Sequence, residues 1–254
     1  MKILALIPAR MGSSRFPGKP MATLLGVPMI EHVYRRVALS RSLTATAVAT
    51  CDVEIADHIR ALGGRAIMTG NHHERASDRC AEALAVVEQE DGVRYDLVVM
   101  VQGDEPMVHP EMIDEAVAPM LQDDTILVTN LLGPIGGEEE FEDPNCIKVV
   151  CDRYGDAIYF SREPIPTRSK GVNQPMGKQI CIIPFRRDFL LEYTRMPPTP
   201  LEIAESVDMM RILEYGKKVR MVPTRHNSQA VDTEADRCRV EKLLANDLVH
   251  KQLF

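Results

Sequence analysis

The sequence predicts an α/β fold: a three-layer core built on a parallel sheet, with an inserted mixed β-sheet lobe. Three observations carry this expectation. Residues 1–124 alternate short apolar runs with amphipathic stretches, the β-α-β-α order of a parallel sheet covered on both faces by helices. After about residue 125 the alternation stops, and apolar runs follow one another without full helices between them. The 254 residues are 45% hydrophobic and 26% charged, enough to bury a full core as one unit.

The elements follow in order. Ile3–Ile7 is an apolar run read as a buried strand ending at Pro8. Residues 28–39 place Ile30, Val33, Val37 and Ala38 at helical spacing. Ala45–Ala49 is a second strand, and 53–62 a short helix closed by Gly63-Gly64. Arg65–Met68 is a third strand, followed by a helix at about 78–89 capped by Ser77 or Asp78. Tyr95–Val101 is a dense apolar strand and 110–121 a helix. Beyond it, 126–132, 147–151, 157–161 and 179–185 read as strands, and 163–178, rich in Pro and Gly, as a mobile loop. Helical patterns return at 186–195 and 200–214, and a strand near 219–222 and a helix near 233–245 close the chain. The expected organisation is a single domain over 1–254, with a nucleotide-binding half (1–124) and a second half (125–254) for the other substrate and for subunit contact.

Charge and cysteine usage exclude several classes. The net charge is 30 − 37 = −7, so the chain has no general attraction for nucleic acid or an anionic membrane. No apolar stretch approaches the roughly 20 residues of a membrane span. The six cysteines are scattered, with no C-x-x-C and no zinc spacing, which points to a reducing cytosol. His72 and His73 are adjacent, and neighbours on a strand point to opposite faces, which argues against a shared metal.

Residues 8–20, PARMGSSRFPGKP, form the most informative loop. Arg10, Arg15 and Lys19 stand among Gly12, Ser13, Ser14 and Gly18, directly after a core strand. Glycine lets backbone N–H groups approach phosphate oxygens, and the cations offset their charge. The loop is not the P-loop of ATPases: five residues separate Gly12 from Gly18, and Pro20 follows Lys19 where a magnesium-binding hydroxyl would stand. The metal ligands must therefore lie elsewhere. Asp104, in VVMVQGDEP, sits at a strand end behind Gln102 and Gly103, a setting suited to a hard cation between phosphates. A second carboxylate is needed, and Asp232 is the candidate, although D-T-x-x-D before a helix is also an N-cap signature.

P-A-R-x-x-S-x-R-x-P-G-K-P, V-Q-G-D-E-P and V-D-T-x-x-D occur in that order. With LLGVPMIEHVYRR at 24–36, SDR at 77–79, NCIKVVCD at 145–152, AIYFSREPIP at 157–166 and ILEYGKKV at 212–219, the chain resembles the sugar-acid cytidylyltransferases. Among them it looks most like the 3-deoxy-manno-octulosonate cytidylyltransferases. The resemblance implies a Rossmann-like core of the nucleotide-diphospho-sugar-transferase kind, in a cytoplasmic homodimer. It implies CTP-dependent activation of a 2-keto-3-deoxy sugar acid for lipopolysaccharide or surface polysaccharide synthesis. By the family pattern Arg10, Ser13, Arg15 and Lys19 hold the triphosphate, with Pro8, Ala9 and Ser14 of the same loop at the nucleotide. Ser77, Arg79, Gln102 and Gly103 lie where the family handles the nucleotide, and Asp104 and Asp232 would hold Mg²⁺. Arg162 is expected to face the sugar acid, with Gln179, Glu205, Asp208 and Met209 on the same side.

The sugar side departs from the family pattern. K-H-x-G-I-Y-x-Y becomes Lys178-Gln179-Ile180-Cys181-Ile182-Ile183-Pro184-Phe185, and E-x-L-E-Q-L-R becomes 205–211 with Met209 in place of Gln. S-G-T-[DE]-R becomes Arg75-Ala76-Ser77-Asp78-Arg79. Losing hydrogen-bonding groups from a polyol pocket lowers discrimination. The ordinary octulosonate and a modified acid, such as an amino or deoxy derivative, both stay open. So do a sialic-acid-like acceptor and a non-catalytic nucleotide-binding regulator; the latter expects a lost metal carboxylate or loop lysine, and both are present.

Overall fold

The computed structural model describes residues 1–12, 16–168 and 176–254. These form two compact units, residues 1–114 with 228–254, and residues 115–227. The expected division near 124 thus falls earlier, and the last segment of the chain returns to the first unit.

In the first unit the elements are β1 (Ile3–Ala9), β2 (Thr23–Leu24), β3 (Val27–Pro28), α1 (Met29–Val37), β4 (Ala45–Thr50), α2 (Val53–Ala61), β5 (Ala66–Met68), α3 (Ala76–Asp91) and β6 (Leu97–Val101). Four strands run in the order β6-β1-β4-β5, and every pairing is parallel. β1 and β6 are apolar and buried along their whole length, as strands covered on both faces must be. β1 runs two residues past the expected stop: its pairing with β6 ends at Leu6, but Pro8 and Ala9 stay in register with Ala49 and Thr50 of β4.

α4 (Pro110–Gln122) carries the chain into the second unit. There follow β7 (Thr129–Gly133), α5 (Glu138–Glu142), β8 (Lys148–Cys151), β9 (Ala157–Ser161), β10 (Met176–Ile180), β11 (Ile182–Arg186), α6 (Arg187–Tyr193), α7 (Pro200–Glu205), α8 (Met209–Glu214) and β12 (Arg220–Pro223). The order β12-β7-β10-β8-β9 is a mixed sheet, parallel at β12–β7 and antiparallel elsewhere. The expected single strand at 179–185 is two strands broken at Cys181, and β10 already begins at Met176, inside the segment read as a loop. Of that segment, residues 169–175 lie outside the described residues. The expected helix at 200–214 is likewise two helices, because Ser206 takes a left-handed conformation, φ 52°, and ends α7. No helix among the described residues is long and apolar enough to cross a membrane.

α9 (Glu234–Leu244) and α10 (Leu248–Leu253) complete the first unit. α10 is capped by Asp247, whose carboxylate accepts from His250 N at 2.7 Å. It is held to α1 through Arg36 and His32, both fully buried. Arg36 donates to Asp247, and the His32 ring packs against His250 (5.4 Å) and Phe254 (4.9 Å). Burial drives the His32 pKa down to about 4; Arg36 and His250 add to this, and the Leu24 carbonyl and Glu31 oppose it. Burial and then Arg36 also hold the His250 pKa below its ordinary value, against the opposing pull of Asp247; Arg35 lies over the Phe254 ring at 5.4 Å.

A histidine kept neutral in the fold but titrating near 6.5 when unfolded gives stability that is complete above that pH and is lost as pH falls toward 4. Between pH 7.5 and 4.5 the loss from His32 is expected to be roughly 2–3 kcal/mol. Urea midpoints at the two pH values should fall further apart for the natural chain than for His32→Gln. Equal displacements would refute this.

Candidate active site

The site grows from the carboxyl ends of β1 and β6, where ligands bind in open parallel sheets. Gly103, after β6, has no room for a side chain: a Cβ there would lie 2.9 Å from the Pro8 carbonyl oxygen. Glycine thus lets the loop carrying Gln102 and Asp104 close onto the end of β1. The β1 loop is pinned at its far end by Gly18, which has φ 74° and donates its N–H to Met11 O at 3.0 Å. A short 3₁₀ turn, Lys19–Met21, starts there and presents Lys19. Ser13, Ser14 and Arg15 lie outside the described residues.

Lys19 Nζ donates to Asp104 Oδ2 at 2.7 Å and to Asp232 Oδ1 at 3.0 Å. Two carboxylates so distant in sequence meet because the C-terminal segment docks on the first unit. Val231 N donates to Asp104 O at 3.0 Å, and Ser228 Oγ to the buried Glu105 carboxylate. Val231 itself joins a core of Leu24, Met29, Val240 and Leu244, all fully buried. The cap signature next to Asp232 belongs to its neighbour: Thr233 is the N-cap of α9 and pairs reciprocally with Asp236. The Asp232 carboxylate is thus not the cap of this helix and is turned toward Lys19. Burial acts against the Lys19 ammonium, but Asp104 and then Asp232 outweigh it and hold its pKa above the ordinary value. Two carboxylates thus meet at one cationic atom, and carboxylate oxygens are the ligands a small hard cation takes.

A second group of polar side chains sits at the start of α3. This helix begins at Ala76 behind an extended Arg75, earlier than expected, so Ser77 and Asp78 lie within its first turn rather than capping it. Ser77 is fully buried, and its Oγ has no hydrogen-bond partner among the described residues. Arg79 is almost fully buried; Nη1 donates to Thr69 Oγ1 at 2.5 Å and to Gly70 O at 3.2 Å, while Nη2 has no partner among the described residues. Ser77 Oγ and Arg79 Nη2 are thus two buried polar atoms, two residues apart on one helix, with hydrogen-bonding capacity that the described residues do not fill. Arg10 reaches the same turn, donating from Nη1 to His73 O at 3.3 Å.

In the second unit Arg162 does not present a free guanidinium. Nε donates to Glu205 O at 2.6 Å, Nη1 to Pro144 O at 2.8 Å and Nη2 to Ser206 O at 3.3 Å. Three carbonyls left over at a loop and at the end of α7 take up the donors expected to face a sugar. Glu205 in turn accepts from Tyr159 Oη at 3.0 Å, Ser161 Oγ at 3.3 Å and Arg162 N at 2.8 Å. Met209, expected on the sugar side, is fully buried. Gln179 Nε2 donates to Asn130 Oδ1 at 2.7 Å, and Asp208 O accepts from Tyr193 Oη at 2.9 Å.

The cytidylyltransferase family model matches residues 4–219. The chain belongs to this family. It is 44% identical to the 3-deoxy-manno-octulosonate cytidylyltransferase of Geobacter metallireducens, an alignment covering 96% of this chain and 98% of that one. Against the protein of the same description from Geobacter sulfurreducens it is 42% identical over the same shares. Among solved structures, CMP:2-keto-3-deoxy-manno-octonic acid synthetase complexed with CTP superposes with a TM-score of 0.87 at 36% identity, covering 98% of this chain and all of the other.

In this cytidylyltransferase several residues around the site escaped the sequence reading. Thr69 and the Gly70 carbonyl fix Arg79, and the Glu105–Ser228 pair helps tether the segment that bears Asp232. Glu105 lies inside the quoted VQGDEP motif, and its burial was the missing signal. Thr69 and Ser228 carry no local signature, because their partners are set by the fold.

Proposed function

We propose that this cytidylyltransferase activates a 2-keto-3-deoxy sugar acid with CTP, the acid being 3-deoxy-manno-octulosonate. The oxygen of the anomeric hydroxyl attacks the α-phosphorus, its proton passes to solvent, the bond between the α-phosphorus and the bridging oxygen breaks, and pyrophosphate leaves. The convergence of Lys19, Asp104 and Asp232 beside the carboxyl ends of β1 and β6 carries this reading.

In phosphoryl transfer the protein mainly positions groups and neutralises charge. Lys19, with Arg10 and the loop between them, binds the triphosphate and disperses its charge. Ser77 and Arg79 offer a buried hydroxyl and a buried guanidinium nitrogen to the nucleotide. Asp104 and Asp232 would hold Mg²⁺, and Lys19, beside them, would be placed to donate to phosphate oxygens. When bound, the metal supplies charge neutralisation at the α-phosphate and lowers the pKa of the attacking hydroxyl. No histidine base is required.

The ordinary octulosonate is favoured over a modified acid because the departures from the family pattern are absorbed by the protein. Ile183 and Met209 are buried core residues, and Gln179 is hydrogen-bonded to Asn130, itself buried and donating to Ile180 O at 2.6 Å. These positions do not show an apolar pocket in place of a polar one. Family resemblance adds a homodimer working in the cytosol, where CTP is available.

The test is pyrophosphate release with CTP, Mg²⁺ and a panel of 2-keto-3-deoxy acids. Turnover is expected with the octulosonate. Turnover only with an amino-substituted or sialic-acid-like substrate would overturn the sugar assignment, and turnover with none would overturn the enzymatic reading. Arg79→Met should raise the KM for CTP at least about tenfold with a smaller change in kcat, the pattern of lost ground-state binding.

A further inference from the structure

His72 and His73 do not lie on a strand. Asn71 and His72 form a turn, and the two rings fall on one side, with centroids 4.2 Å apart and planes inclined at 43°. The turn defeats the alternation that the sequence led us to expect. Glu82, in the second turn of α3, faces the same pair. His73 Nε2 contacts Glu82 Oε2, and Gly70 N donates to Oε2 at 3.0 Å and Oε1 at 3.2 Å. One ligand atom from each of His72, His73 and Glu82 lies within 4.8 Å of the others. Burial raises the Glu82 pKa, but the His73 and Gly70 hydrogen bonds outweigh it and keep the carboxylate ionised.

We propose that His72, His73 and Glu82 form a binding site for a borderline-soft divalent transition metal of the Zn²⁺ class, chemically separate from the hard-cation site at Asp104 and Asp232. Two imidazoles and one carboxylate suit zinc, which takes N and O ligands at about 2.0–2.2 Å, and do not suit Mg²⁺, which demands oxygen ligands. Three protein ligands leave one position of a tetrahedral ion for water. The Gly70 N–H bonds orient the carboxylate from outside the ligand set, as supporting groups do in metal sites. Binding costs little rearrangement, since the three ligating atoms are already gathered on a turn and a helix.

The site has a path to the active centre, and this part alone rests on the proposed function. The turn that would be clamped also supplies the His73 carbonyl to Arg10 and the Gly70 carbonyl to Arg79. A bound ion would fix both arginines through their backbone partners.

The test is isothermal titration of the full chain with Zn²⁺ in excess Mg²⁺, alongside thermal unfolding. One Zn²⁺ per chain is expected, with a rise in Tm, because a ligand of the native state stabilises it. His72→Ala removes an exposed ligand and should weaken binding at least about tenfold and abolish the Tm rise. Glu82→Gln should do the same. Asp104→Asn should leave Zn²⁺ binding intact, which separates this site from the proposed nucleotide chemistry. Binding unchanged in His72→Ala, or lost on blocking the thiols instead, would overturn the site, as would the absence of stoichiometric binding.

Discussion

Asp104→Asn is expected to lower pyrophosphate release from CTP by about 10²–10³-fold or more, the scale on which preorganised charge acts at a transition state. The substitution keeps the shape of the side chain and removes the charge that, with Asp232, would hold the metal. The fold should survive it. Asp104 contributes its carbonyl oxygen, not its side chain, to the bond from Val231 N, so the returning C-terminal segment stays docked. Lys19 keeps Asp232 as a partner at 3.0 Å. An unfolding midpoint near that of the natural chain, with activity lost, is the expected pair of results. Mg²⁺ affinity measured by titration should fall in parallel. An active Asp104→Asn enzyme would remove the acidic pair from the mechanism.

The largest expected effect on stability lies in the second unit, at Arg211. Arg211 and Glu202 are both 2% exposed and form a bidentate pair, Nε to Oε2 and Nη2 to Oε1, each at 2.7 Å. The remaining arginine donors reach Met196 O at 3.0 Å and Tyr193 O at 3.4 Å, and the guanidinium lies 4.8 Å from the Tyr193 ring centre. Arg211→Ala leaves a buried carboxylate without its cation and removes the arginine donors from the Met196 and Tyr193 carbonyls, the latter keeping Met196 N at 3.1 Å. Breaking a buried pair from one side costs about 3–5 kcal/mol. Glu202 also caps α7 by accepting from Thr199 N at 3.1 Å, so Glu202→Leu loses more than the ion pair. The double variant Arg211→Met/Glu202→Leu should be less destabilised than Arg211→Ala, because no lone buried charge remains. Guanidinium midpoints of the three chains decide this. A cost below about 1 kcal/mol for Arg211→Ala would show the pair to be energetically idle.

Much of the first unit was legible because its elements are long enough to show a period. β1, β6 and α1 are runs whose burial follows the sequence pattern directly. The failures have a common physical cause. α5 and α10, five and six residues long, are too short to show helical repetition and are held by tertiary contacts. Apolar continuity across 179–185 cannot reveal the break at Cys181, since both strands are apolar. Ser206 ends α7 in a conformation that serine seldom adopts, so composition gave no warning.

At the candidate site, the approach of Lys19 and Asp104 to one another could be expected from strand ends and residue chemistry. Asp232 could not: beside a real cap at Thr233, it gained weight only from the family pattern. Arg162, which the family pattern turns toward the sugar acid, is engaged here with main-chain carbonyls that no sequence argument foresees. The orientation of His72 and His73 depended on a turn that a period-two argument cannot foresee.

The contact between Lys19 and Asp232 spans 213 positions of the chain. During translation the cationic half emerges from the ribosome long before its acidic counterpart exists. Closing so wide a loop is entropically late in any folding route. Until Asp232 has been made, Lys19 has only one of its two carboxylate partners, and the cluster closes only once the segment around Val231 docks.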